Sequence, residues 1–235
     1  RRHPSRRLLL SHDVHVPARI TLASNHGHRV YPHTNRDHPH RKAHSQNRNI
    51  VMSNVSAKER LLTLIREHAL LSGGDFELAS GERASVYIDL RRVTMHPEGA
   101  TLIGTMLAQH LADSDVTAVG GMATAAIPVV TAVVMASASG DKPLRGFYVR
   151  DKAKTRGTQR QIEGQMQKGD RVILLEDTMT TGGSTMTAVE AVRAEGGDVA
   201  GVITVGDRLK GGRELYENAS IPFHAMVTLD EITAG

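Results

Sequence analysis

The chain has 235 residues, enough for one α/β domain with an appendage and a sizeable core. It contains no cysteine, which excludes disulfides, thiolate catalysis and cysteine–metal sites; no tryptophan and 3% aromatic content argue against stacking of single-stranded bases. The net charge of +4 is unevenly placed: residues 1–51 hold ten Lys and Arg against two acids, a net of +8, which leaves −4 for residues 52–235.

Residues 1–51 also carry nine of the thirteen histidines, including His26-Gly27-His28 and His38-Pro39-His40, and their apolar positions keep no period of two or 3.6. Such a segment predicts a disordered basic extension. Its histidines suit a metal and its arginines a nucleic acid, but a solvated tail accounts for both. Leu8–Leu10 is too short for the apolar core of a secretory signal. Met52 directly precedes the first patterned segment, so the expected division is a dispensable tail, 1–51, and one domain, 52–235. No apolar run approaches the ~20 residues that cross a bilayer. A cytoplasmic protein without membrane or nucleic-acid partners is the expectation.

Ser56-x-x-Glu59 has the form of a capping box, and Leu61, Leu62, Ile65 and Ala69 follow at helical spacing. This predicts a helix ending near Ser72-Gly73-Gly74. Phe76-Glu77-Leu78 and Val86–Leu90 predict strands joined through Ser80-Gly81. Pro97 opens a second helix with Leu102, Ile103, Met106, Leu107 and Leu111 on its core face. Strand and helix then alternate: strand 116–120, helix 125–137, strands 145–150 and 171–176, helix 184–195, strand 199–205. That rhythm predicts an α/β fold whose parallel sheet is flanked by helices, with ligands at the carboxyl ends of the strands.

Four segments fall at those ends. Gly120–Pro128 is rich in small residues and opens a helix, which suits an anion near backbone amides or, equally, tight packing. Arg150–Gly164 is polar, basic and long for a connection, the form of a mobile cationic loop or of a solvated one. In Arg171–Ser184, the apolar run Val172–Leu175 ends in Glu176 and Asp177 and then in the turn Thr180-Thr181-Gly182-Gly183-Ser184. Free N–H groups and the helix dipole favour a phosphate there, and the acids suit sugar hydroxyls or hydrated Mg²⁺. Neither G-x-x-x-x-G-K-[ST] nor a G-x-G-x-x-G after a strand occurs. Lastly, Val205-Gly206-Asp207-Arg208 places a guanidinium at a strand end, as a carboxylate fork or a surface ion pair with Asp207.

The stretch Arg171–Ser184 resembles the signature with which type I phosphoribosyltransferases bind 5-phospho-α-D-ribosyl 1-diphosphate (PRPP). These enzymes transfer ribose 5-phosphate to a nitrogenous base and release pyrophosphate. The resemblance implies a parallel sheet with a small amino-terminal hood. It implies that Glu176 and Asp177 lie beside the ribose hydroxyls, with Mg²⁺ carried by PRPP near them. Thr178, Met179, Thr180, Thr181, Gly182, Gly183 and Ser184 would hold the 5′-phosphate region, and the 120–128 loop the pyrophosphate end.

Over residues 56–232 the likeness narrows to the orotate phosphoribosyltransferase family, whose catalytic loop reads R-K-x-x-K-x-H-G. Arg150, Lys154 and Gly157 match; Asp151 stands where lysine is usual and Arg156 where histidine is usual, and arginine does not release a proton near neutrality. The resemblance implies Lys154, Arg150 and Asp177 as catalytic residues, with Lys152 and Arg156 adding charge around PRPP. It implies Arg208, Thr180 and Arg83 at orotate, and a homodimer in which loop 151–164 closes over the partner's site. Two alternatives share the fold: a purine phosphoribosyltransferase, whose base lacks the carboxylate Arg208 would take, and a non-catalytic PRPP-sensing regulator, which would not need the cationic loop.

Overall fold

The computed structural model describes residues 54–77, 83–151 and 161–234, all within the unit Asn49–Gly235. The expected tail, the Leu78–Gly81 part of the hood, and Lys152, Lys154 and Arg156 lie outside the described residues.

Strands β3 (Ala118–Gly120), β4 (Arg145–Val149), β5 (Ile162–Gly164), β6 (Arg171–Met179), β7 (Asp198–Asp207) and β8 (Phe223–Thr228) form one sheet in the order β5-β4-β3-β6-β7-β8. All neighbours are parallel except β5, which pairs antiparallel with β4. The connection after Arg150 is therefore a hairpin rather than a crossover, with the Arg150 N–H donating to the Gln161 carbonyl at 2.9 Å. Strand β6 is longer than the expected 171–176: Glu176 pairs with Thr204, Thr178 with Gly206 and Met179 with Asp207, so the acids lie inside the ladder.

Alternation along β6 builds two cores. Ile173 and Leu175 face one core with Val119, Ile203 and Val205, covered by α1 (Asn54–His68), α3 (Pro97–Leu111) and α4 (Ala126–Ser137). Val172 and Leu174 face the other with Val202, covered by α5 (Gly183–Ala194) and by Tyr216 of α6 (Gly212–Asn218). A strand buried on both faces needs the continuous apolar run that marks β6 in the sequence. The chain ends in α7 (Leu229–Thr233), whose first turn is closed by a capping box between Thr228 and Glu231.

The hood is the antiparallel pair β1 (Leu70–Glu77) and β2 (Arg83–Ile88). Here the sequence expectation needs correcting. α1 starts before Ser56 and stops at His68, and Ser72-Gly73-Gly74 belongs to β1. Gly73 has φ 76° and the register shifts between Ser72 and Phe76, so these glycines make a β-bulge, not a helix cap. After β2 the chain makes one turn of helix, α2 (Arg91–Thr94), before α3. None of the described helices is long and apolar enough to cross a membrane.

Candidate active site

Adjacent residues of a strand point to opposite faces, and the two acids divide accordingly. Asp177 is in electrostatic contact with Arg91 and Asp89, at the exit of the hood, whereas Glu176 acts on Tyr216 on the other side. Among the described residues neither acid is ion-paired. One oxygen of Asp177 accepts from the Thr178 N–H at 2.8 Å, and the buried Oε2 of Glu176 has no hydrogen-bond partner. Burial, and then the Asp177 charge, pushes Glu176 up to about 8. Burial also raises Asp177, against the Thr178 N–H and Arg91. Buried carboxylates without partners are unfavourable alone and become favourable when a cation or hydroxyl donors arrive.

The turn follows at once. Gly182 is the N-cap of α5 with φ 83°, and no side chain caps the helix. The first N–H groups of α5 are therefore left to solvent or ligand. A side chain at Gly182 would press on Leu215 and Tyr216 at 3.0–3.1 Å, whereas Gly183 has open space around it. Thr181, Gly183 and Ser184 are exposed, Thr178 and Thr180 half-buried. The Met179 side chain is buried beneath Gly212, so only its backbone is available to a ligand.

Arg208 closes the site toward the hood. Its N–H donates to the Met179 carbonyl at 2.9 Å and its Nη2 to the Ile88 carbonyl at 2.7 Å. The guanidinium lies 5.3 Å from the Tyr87 ring centroid, a cation–π contact. Asp207 is not its ion-pair partner: it is buried and accepts from the Leu209 N–H at 2.9 Å, which turns the chain at Leu209 (φ 57°). Thus the hood, the end of β6 and the turn after β7 converge on one place.

On the opposite flank, β4 clamps the small-residue loop. Val149 N–H donates to the Gly121 carbonyl and Ala123 N–H to the Val149 carbonyl, both at 2.8 Å, which puts Arg150 beside this loop. A side chain at Gly120 would strike the Phe147 ring, and one at Gly121 the Leu175 carbonyl, each at 2.2 Å. Tight packing is reason enough for those two glycines. The Nε of Arg150 is buried with no partner among the described residues.

Arg83 stands apart. It opens β2 opposite Glu77, roughly 16 Å along the strand from Ile88 at ~3.3 Å per residue. Sequence reasoning missed Asp89, whose carboxylate takes the Arg91 Nε at 2.7 Å, and Tyr216, whose hydroxyl donates to the Gly182 carbonyl at 2.8 Å. The acid–base pair in Asp89-Leu90-Arg91 was a weak local signal; Tyr216 gave none.

The unpartnered Oε2 of Glu176 and the desolvated Asp177 carboxylate, on the two sides of β6, fit hydroxyl donors of a substrate and a hydrated Mg²⁺ that such a substrate would carry near them. No protein-family profile matches the chain. It is 44% identical over 173 residues to an orotate phosphoribosyltransferase of Streptomyces avermitilis, covering 73% of this chain and 94% of that protein. A crystal structure of the Mycobacterium tuberculosis orotate phosphoribosyltransferase with Fe(III) dicitrate aligns with TM-score 0.67 and 39% identity, over 75% of this chain and 99% of that one. The same enzyme solved in complex with PRPP aligns with TM-score 0.63 and 36% identity, over 75% and 98%.

Proposed function

The chain belongs to the orotate phosphoribosyltransferase family, and we propose that it transfers ribose 5-phosphate from PRPP to orotate, giving orotidine 5′-monophosphate and pyrophosphate in pyrimidine synthesis. One observation carries the choice of base: Arg208 sits between the Tyr87 ring, the Ile88 carbonyl and the Met179 carbonyl, at the mouth of the phosphate turn. A guanidinium there offers planar paired donors to orotate's carboxylate. A purine has no such group.

In this mechanism the N–H groups of Gly183 and Ser184, with the Thr180 and Thr181 hydroxyls, hold the 5′-phosphate. Glu176 and Asp177 accept from the ribose hydroxyls and fix the sugar over the end of β6. The bond from the anomeric carbon to pyrophosphate breaks through an oxocarbenium-like state, which orotate nitrogen captures. Developing charge on the leaving group is met by Arg150, beside the 120–128 loop, and by Lys154, with Lys152 and Arg156. Mg²⁺ carried by PRPP near Glu176 and Asp177 would supply further neutralisation of that pyrophosphate. Thr180 also adds a hydrogen bond to the base. The functional unit is a cytoplasmic homodimer in which loop 151–164 reaches the partner's site, and residues 1–51 take no part in the chemistry.

Purified protein given PRPP, Mg²⁺ and orotate should release pyrophosphate and form orotidine 5′-monophosphate. Turnover of adenine or hypoxanthine but not orotate would overturn the assignment. Mixing Lys154→Ala with Asp177→Asn chains should restore activity, because one site of the mixed dimer combines an intact loop with intact acids. Verified heterodimers that stay inactive would show that the loop closes in cis.

A further inference from the structure

We infer that Tyr216 is a positioning residue for the phosphate turn: its hydroxyl, bonded to the Gly182 carbonyl, fixes the Gly182–Gly183 peptide so that the Gly183 N–H faces the substrate's phosphate. The inference rests on the reading of that turn as the PRPP phosphate site.

Tyr216 is fully buried, its ring stacked on Phe223 with centroids 5.5 Å apart and planes 13° from parallel. A phenol rarely enters a core without a partner for its hydroxyl, and here the partner is the Gly182 carbonyl at 2.8 Å. That carbonyl also accepts the Met186 N–H at 3.0 Å, the first bond of α5. One bond in a first helical turn holds a peptide weakly, because helix ends fray. Tyr216 adds a second from a separate element. The peptide unit is planar and trans, so fixing its C=O inward sends its N–H outward, on the opposite side. The outward group is the Gly183 N–H, and a side chain built at Gly183 would meet nothing within 4 Å. That open space is where an anion fits.

Two further facts hold the arrangement. The Tyr216 ring and hydroxyl lie 3.1 Å from where a Gly182 side chain would start, so hydroxyl and turn are in direct contact. Burial, with the Glu176 charge nearby, holds the phenol far above its ordinary range, so it remains a donor at any working pH. A carbonyl that accepts two bonds also polarises its peptide and strengthens the N–H on the far side.

The test is Tyr216→Phe, which removes the hydroxyl and keeps the ring. The KM for PRPP should rise about 5-fold, the scale of one net hydrogen bond. Inhibition by inorganic phosphate should weaken by the same factor, while kcat and the KM for orotate stay within about 2-fold. Phe223→Leu is the control: it removes the ring stack, should lower Tm, and should leave the KM for PRPP in place. In wild-type protein, titration with inorganic phosphate should shift the Gly183 amide in a ¹⁵N-resolved spectrum, whether or not Tyr216→Phe folds well. Equal losses in both KM values and kcat would mean a general structural role and overturn the inference. So would an unmoved Gly183 amide in an enzyme that turns over orotate with PRPP, a result that leaves the phosphoribosyltransferase reading standing. A wild-type protein inert to PRPP, with turn amides silent to phosphate, would remove both.

Discussion

Next to the amino end of β6, Asp170 is 4% exposed and fully engaged: it accepts from Gln167 N–H at 2.7 Å, from the Thr117 hydroxyl at 2.9 Å and from Arg145. Roughly 20 Å along the same strand, Glu176 is half-buried, and its buried Oε2 has no partner among the described residues. Burial alone would raise both acids. At Asp170 it is outweighed by the Gln167 N–H, Thr117 and Arg145, and the pKa falls below the ordinary carboxylate range; at Glu176 nothing opposes it and the Asp177 charge adds to it. One end of the strand binds its own acid to tie β3, β4 and β6 together. The other leaves its acids without an ion-pair partner among the described residues, open to something that comes from outside. Catalytic ends of parallel sheets are less stable than the fold requires because their polar groups are kept for a ligand.

The sharpest way to break this comparison is to neutralise each end. Glu176→Gln with Asp177→Asn should lower kcat/KM by at least about 100-fold, the scale of a lost set of preorganised polar contacts. The Tm should hold or rise. Near-normal turnover in the double variant would end the role proposed for these acids.

Asp170→Ala should do the opposite. Removing this acid forfeits its hydrogen bonds from the Gln167 N–H, the Thr117 hydroxyl and the partly exposed Arg145, and should cost about 2 kcal/mol of stability in chemical denaturation, with kcat/KM for the folded fraction unchanged. An active-site defect without a stability defect would contradict the division.

The third expectation concerns pH. Glu176 is raised from 4.5 to about 8, so the folded state holds a proton that the unfolded state gives up. Stability is therefore full below about 4.5 and falls as pH rises from there through about 8. Glu176→Gln should flatten that decline and exceed wild type at pH 8 by on the order of 2 kcal/mol. Parallel curves for the two proteins would show that Glu176 ionises normally. The smallest effect expected is none: a protein reduced to residues 52–235 should match the full chain in Tm and turnover. A clear loss in either would make the basic extension part of the working structure.

Much of this was legible in the chain, for reasons that are local. The run Val172–Leu175, buried on both faces of the sheet, and the Thr- and Gly-rich turn behind it lie within fourteen residues, so pattern alone located β6, the acids and the start of α5. Pro97 marked α3 correctly. Signals failed where one pattern serves two structures, as with Ser72-Gly73-Gly74, which reads as a helix stop and is a bulge. They also failed where an element is too short to show a period, as with three-residue β5. Arg208 was placed by resemblance, since nothing within its own segment shows that it reaches Ile88, 120 residues earlier. Tyr216 had no such help: its contact with Gly182 spans 34 residues and exists only once α6 has folded under α5.

The antiparallel pairing of β4 with β5 has a consequence for how this protein changes over generations. Val149 lies opposite Ile162 and Arg150 bonds Gln161, so the chain leaves the sheet and returns to it at neighbouring positions. Closing such a neck depends only on the logarithm of the length outside it, about 0.6 kcal/mol for each doubling. Lengthening or shortening the stretch between those positions therefore changes the cost of closure little. Under the proposed function, changes beyond the neck would answer to turnover, since the cost of closing it scarcely registers them.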